Sequence, residues 1–217
     1  MVDMPFDGPI SLADIPVTTA LLLANVVVSW YVLYRNPRLL DPLSFQPYRI
    51  TEYGEYYRFL TAGFVHGSGA HLGFNMITLF FFGPILEGLL GPLSFLVLYV
   101  LSEILAHTVT LTYHFDDPQY AAIGASGAVS GVVFGFCLFF PLELLYLFFV
   151  IPIPAVLFAV GYVVGSIYAF NKNRQTRQQG GIAHEAHIGG AIAGIIVTVA
   201  LDPRALGAFV ETMSSLL

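Results

Sequence analysis

Apolar stretches of helical length recur six times in this 217-residue chain, and little of the sequence lies outside them. Hydrophobic residues make up 57% and charged residues 10%, whereas a soluble globular domain carries about a quarter charged. Such a chain belongs in lipid. A spanning helix needs roughly 20 mostly apolar residues, so the chain can hold six with short connections, as one domain. Runs bounded by charge, Pro and Gly predict helices near Val17 to Tyr34, Ala70 to Leu90, Pro92 to Tyr113, Ala122 to Phe140, Leu144 to Phe170 and Ala186 to Leu201. Pro152 and Pro154 are expected to bend the fifth, since each removes a backbone donor. The expected organisation is an all-α polytopic bundle: an amino-terminal tail over residues 1–16, a six-helix membrane domain over 17–201 and a carboxyl-terminal tail over 202–217. Residues 35–69, with four arginines among Tyr and Pro, are too polar to span and are expected to lie at the interface.

Several classes of function are disfavoured at once. The net charge is -6, and the eight Lys plus Arg form no cluster dense enough to follow a phosphate backbone, so nucleic acid is not an expected partner. Cys137 is the only cysteine, which excludes an internal disulfide or a multi-thiolate metal site. Residues 1–16 carry Asp3, Asp7 and Asp14 without Lys or Arg, so they lack the positive region of a secretory signal, and the first helix is expected to stay in the protein.

Ionisable and strongly polar groups inside spanning helices are costly, which makes each a functional candidate. His71 and Asn75 open the second helix and share a face at a spacing of four. Ser126 lies near the start of the fourth helix and His187 near the start of the sixth. Even-numbered helices cross in one direction, so all four groups begin on the same side and can converge. Gly127, Gly131 and Gly135, with Gly190 and Gly194, leave side-chain-free stripes that let the fourth and sixth helices approach closely. A hydroxyl beside an imidazole is a nucleophile with its general base. The Asn75 amide, the His71 ring and a backbone N–H near Ser126 are suitable oxyanion donors. No third triad member is evident, because Asp202 lies at the far end of the sixth helix and Glu185 faces a different way from His187.

His66, His71 and Asn75, then Gly124-Ala125-Ser126-Gly127, then Ala186-His187-Ile188-Gly189-Gly190 with Gly194, resemble the motifs of rhomboid intramembrane serine proteases, over about Tyr57 to Leu201. The resemblance implies a six-helix bundle in the bacterial inner membrane, with Ser126 as nucleophile, His187 as base and His71 with Asn75 at the oxyanion. Membrane-protein segments would be the substrates and no metal or cofactor would be used; Gly124 and Gly127 are candidate supports of the site, and His66 would either orient the first loop or anchor at the interface, a structural role. Two departures stand out. Tyr57-Arg58 occurs where many members have Trp-Arg, and Ser130 occupies the position where some members place a tyrosine against the catalytic imidazole.

Blander readings compete. A serine among glycines often only packs helices, and His184-Glu185-Ala186-His187 lacks the spacing of a zinc-protease HExxH. Glu103 and His107, four apart on the third helix, could relay protons in a transporter, but an interhelical hydrogen bond is the simpler use. Glu87 is expected to cap or bond at the opposite surface. A noncatalytic rhomboid-like escort of membrane clients is the main alternative function. Seven of the eight basic residues lie in loops on the side of the candidate site, so positive-inside counting places that side in the cytoplasm, against the family orientation.

Overall fold

The computed structural model describes residues 3–6, 8, 10–147, 150–176 and 183–216. Helix α1 (Pro16–Tyr34) begins with proline in its first turn, where a missing N–H costs nothing. Its free Val17 and Thr18 N–H groups donate to the buried Glu87 carboxylate at 2.8 and 2.7 Å. Glu87 thereby caps a neighbouring helix at the surface opposite the candidate site.

Short helices α2 (Leu40–Leu43), α3 (Pro47–Tyr53) and α4 (Arg58–Thr61) fold the first loop against the bundle. Arg58 is 1% exposed; its Nη1 donates to the Asp41 and Ser44 carbonyls at 2.9 and 2.7 Å, and its Nε to Glu55 at 2.6 Å. The loop is therefore anchored through arginine although tyrosine replaces tryptophan beside it. The Arg58 guanidinium lies 5.5 Å from the Tyr57 ring centroid. Phe45 and Ala122 exchange backbone hydrogen bonds of 2.8 and 2.9 Å, tying this loop to the segment before the fourth apolar helix.

Helix α5 (Gly69–Leu90) is N-capped by Ser68, whose hydroxyl accepts the His71 N–H at 3.1 Å. Helix α6 (Pro92–His114) follows a single turn residue, Gly91, whose φ of +80° suits glycine. Helix α7 (Ser126–Phe139) lies at the centre, with every residue after Ser126 buried. Helices α8 (Ala155–Thr176), α9 (His184–Leu201) and α10 (Arg204–Ser214) complete the chain. Among the described residues five helices are long and apolar enough to cross a membrane, and α7 is a shorter apolar helix of 14 residues. The protein is thus a multi-pass helical membrane protein. Its outward faces agree: Leu23, Val27, Phe80, Phe81, Val160 and Val164 are exposed, as lipid contact allows.

The glycine stripes act as expected. A Cβ on Gly190 would collide with the Gly127 carbonyl, and one on Gly194 with the Gly131 carbonyl, so α7 and α9 meet backbone to backbone. On its other side α7 is close to α6, where Cβ atoms on Gly127 and Gly131 would strike Ala106 and Ser102.

Three expectations need correction. The fourth helix starts at Ser126 rather than Ala122, because Ala122 is bridged to Phe45 of the first loop and Gly124, at φ +109°, lies off the helical path. The fifth run is no bent helix over Leu144 to Phe170. Strands β1 (Leu144–Leu147) and β2 (Ile151–Pro154) form an antiparallel hairpin, and only then does α8 begin. Pro152 and Pro154 cannot donate, but they alternate along β2, leaving Ile151 and Ile153 for the ladder. The carboxyl-terminal tail is also helical: Ala205 and Ala208 of α10 are buried, and its first turn starts beside Asp202, which accepts the Arg204 N–H at 3.0 Å.

Candidate active site

Ser126 is the first residue of α7, so its side chain stands where unpaired helix N–H groups emerge. Gly124, two residues earlier, has φ +109°, and its N–H donates to the Ala62 carbonyl at 2.9 Å. A Cβ there would overlap the His71 imidazole, so both conformation and space demand glycine. Gly127 is needed for the contacts with α6 and α9 already described. Each glycine flanking Ser126 therefore has its own steric reason.

His66 links three parts of the fold. The Ser29 hydroxyl donates to the Phe64 carbonyl at 2.9 Å and sits 2.8 Å from His66 Nδ1, so Nδ1 carries the proton given to Ser29. Nε2 is then free to accept the Ala125 N–H, at 3.4 Å. Burial, with a smaller contribution from His71, pushes the His66 pKa down to about 4 and keeps this tautomer neutral. His66 lies edge-on to His71, with ring centroids 4.9 Å apart, and so supports the site through packing and through the Ala125 amide.

His71, Asn75, Ser126 and His187 all border one cavity of about 570 Å³. Asn75 is buried, and its Nδ2 donates to the His71 carbonyl at 3.1 Å. His187 sits in the first turn of α9 with its N–H on the Ala183 carbonyl at 3.2 Å. Among the described residues no hydrogen bond joins the Ser126 hydroxyl to the His187 ring, although both line the same cavity. Such contacts are often long before substrate binds.

Glu185 turns away from His187. It accepts from the Tyr120 hydroxyl and lies 3.4 Å from His114 Nε2, fixing the start of α9 to the end of α6. Asp202 pairs with Arg204 beyond the far end of α9. Neither is among the residues that line the cavity. Glu103 and His107 are also outside it. The Glu103 carboxylate accepts the Ala128 N–H of α7 at 2.8 Å, while His107 donates from Nδ1 to the Phe59 carbonyl at 3.0 Å and stacks on Phe45. This pair joins the first loop to the end of α7 that carries Ser126, a structural use. Among the described residues no group of three or more His, Cys, Asp or Glu could hold a metal.

Sequence reasoning missed Tyr162. Its ring, carried by α8, stacks near His187 with centroids 5.7 Å apart and planes inclined by 24°. Its hydroxyl is 2.7 Å from Ser130 Oγ. Only a tertiary contact reveals it, because α8 carries no motif there.

The family model of the Rhomboid domain matches residues 53–204. Rhomboid protease AarA of Providencia stuartii is 27% identical over 214 residues, covering 88% of this chain and 74% of that protein. RHOMBOID-like protein 12, mitochondrial, of Arabidopsis thaliana is 28% identical, covering 85% of this chain and 58% of its own length. Rhomboid protein 1, mitochondrial, of Saccharomyces cerevisiae is 32% identical over 142 residues, 62% of this chain and 39% of that protein. The chain thus spans less than two thirds of the two mitochondrial relatives.

Proposed function

The chain belongs to the rhomboid family, and on that footing we propose that it is an intramembrane serine endopeptidase cutting transmembrane or juxtamembrane segments of other membrane proteins. The observation that carries this reading is the convergence of Ser126, His187, His71 and Asn75, from three helices, on one cavity. In the reaction, Ser126 Oγ attacks the scissile carbonyl carbon while the His187 ring takes its proton. The oxyanion is met by the Asn75 amide, the His71 ring and the N–H groups at the start of α7. His187 then gives its proton to the leaving amine as the C–N bond breaks. Water, deprotonated by His187 in turn, hydrolyses the acyl ester and frees Ser126.

The cavity reaches Phe74 and Thr78 of α5 and Phe158 and Tyr162 of α8. Helix α8 packs on α9 and exposes Leu157, Val160 and Val164 outward, so the seam between α5 and α8 is the proposed lateral entry for a substrate segment. The proposed setting is a bacterial inner membrane.

A noncatalytic client-binding role has one observation in its favour, the absence of a hydrogen bond between Ser126 and His187. Labelling with a fluorophosphonate separates the two. The purified protein in detergent is expected to form an adduct mapping to Ser126, and Ser126→Ala and His187→Ala are each expected to abolish labelling and cleavage of a membrane-segment reporter while the protein stays folded. Wild-type protein that neither labels nor cleaves establishes the noncatalytic role instead.

A further inference from the structure

The imidazole of a general base must be held in one plane to accept a proton from a particular oxygen, and a histidine at the start of a helix has two free side-chain torsions. His187 has no hydrogen bond to fix its ring among the described residues; its ring neighbours are Tyr162 and, edge-on, His184 at 6.0 Å. The acidic neighbour that could have oriented it, Glu185, is committed to Tyr120 and His114. Among the described residues, packing is what orients the ring.

Tyr162 is built for that task. Its ring lies between Phe134 of α7 and Phe158 of α8, with centroids 5.7 and 5.9 Å away, and presents a face to His187 at an offset-stacking separation. Its hydroxyl meets Ser130, one turn beyond Ser126 on the same helix. Ser130 Oγ also lies 2.7 Å from the Ser126 carbonyl and donates to it. With its one proton so used, the Ser130 oxygen accepts from the Tyr162 hydroxyl. The chain Tyr162 O–H to Ser130 to Ser126 C=O ties the ring that faces the base to the backbone of the nucleophile.

We propose that Tyr162 is a positioning residue for His187, delivered from α8 and locked in register with Ser126 by the Ser130 hydroxyl. This rests on the reading of Ser126 and His187 as nucleophile and base. One consequence is particular to this geometry. The ring that orients the base belongs to the outermost helix of the entry seam, so an outward displacement of α8 removes it and leaves the base unordered.

The test uses the full-length protein in detergent and measures fluorophosphonate labelling rate, kcat and KM on a membrane-segment reporter, and thermal unfolding. Tyr162→Leu is expected to slow labelling and lower kcat by about tenfold or more with little change in KM, since small misplacements of catalytic groups carry large rate penalties. Tyr162→Phe keeps the ring and loses the tether, and is expected to lose about threefold; combined with Ser130→Ala it should show no additional loss, as coupled partners are non-additive. Wild-type labelling with an unaltered rate and kcat in Tyr162→Leu overturns the proposal while sparing the protease reading. Should Tyr162→Leu fail to fold, the Tyr162→Phe and Ser130→Ala cycle decides, and full additivity overturns the tether. A wild type that does not label removes the protease reading first.

Discussion

The Glu103 carboxylate on α6 accepts the Ala128 N–H, 2.8 Å away in the first turn of α7. An acid from a neighbouring helix thus satisfies one of the four orphan donors at the end of the helix that carries Ser126. Glu103→Leu leaves that N–H buried and unpaired, and is expected to cost about 1–3 kcal/mol. Glu103→Gln retains an oxygen acceptor and is expected to cost less. Unfolding curves in one detergent for the three proteins give the comparison; a leucine variant as stable as wild type removes the capping role.

The close approach of α7 and α9 makes a sharp distinction among glycines. Gly194→Val is expected to prevent native packing, because its side chain would occupy the Gly131 carbonyl. Gly161 and Gly165 of α8 have open space where a Cβ would stand. Gly161→Ala should be neutral or stabilising by up to about 1 kcal/mol through helix propensity alone. Expression yield and thermal midpoint of the two variants check the contrast.

Acid should weaken the fold through His66. Its folded pKa, near 4, is below the ordinary 6.5, so between these values the unfolded chain binds the proton that the native state refuses. Stability contributed by neutral His66 is fully present above pH 6.5, and it declines as the pH falls towards 4. Protonation at Nε2 would also set two donors against each other at Ala125. His66→Gln should flatten the His66-dependent part of a stability profile taken across that range; an unchanged profile would rule the histidine out as its source.

Arg58 should prove hard to replace. Buried and bonded to two carbonyls and to Glu55, it uses the planar fork that lysine lacks. The Glu55 carboxyl is held down to about 2 by its hydrogen bonds to Arg49 and then Arg58, so the pair stays ionised. Arg58→Lys is expected to loosen the first loop and Arg58→Ala to do so further, by about 3 kcal/mol or more. Limited proteolysis between residues 35 and 69 reads the loosening; equal resistance in all three proteins would contradict it.

Much of this architecture was legible in the sequence because lipid imposes a simple code of apolar length and backbone self-satisfaction. The same code hid the hairpin. Leu144 to Pro154 is as apolar as a helix, and hydropathy alone cannot separate a short apolar strand from a helical turn. The candidate site residues were visible since each is a polar exception at the start of an apolar helix, with glycines marking where backbones touch. Tyr162 was not, being one aromatic among many on α8 until the fold set it against His187. Helix α10 was missed because a short amphipathic stretch after the last apolar run looks like a tail.

A 14-residue helix is about 21 Å long, whereas the hydrocarbon layer is roughly 30 Å thick. Something other than a further helical turn must fill the missing height, and its peptide groups must not face lipid bare. Residues 121–125 meet that requirement by borrowing partners: Ala122 pairs with Phe45, Gly124 with Ala62, and Ala125 with His66. The first loop is therefore a prosthetic wall for the short helix, letting a polar recess exist at a depth where oil would otherwise close over it.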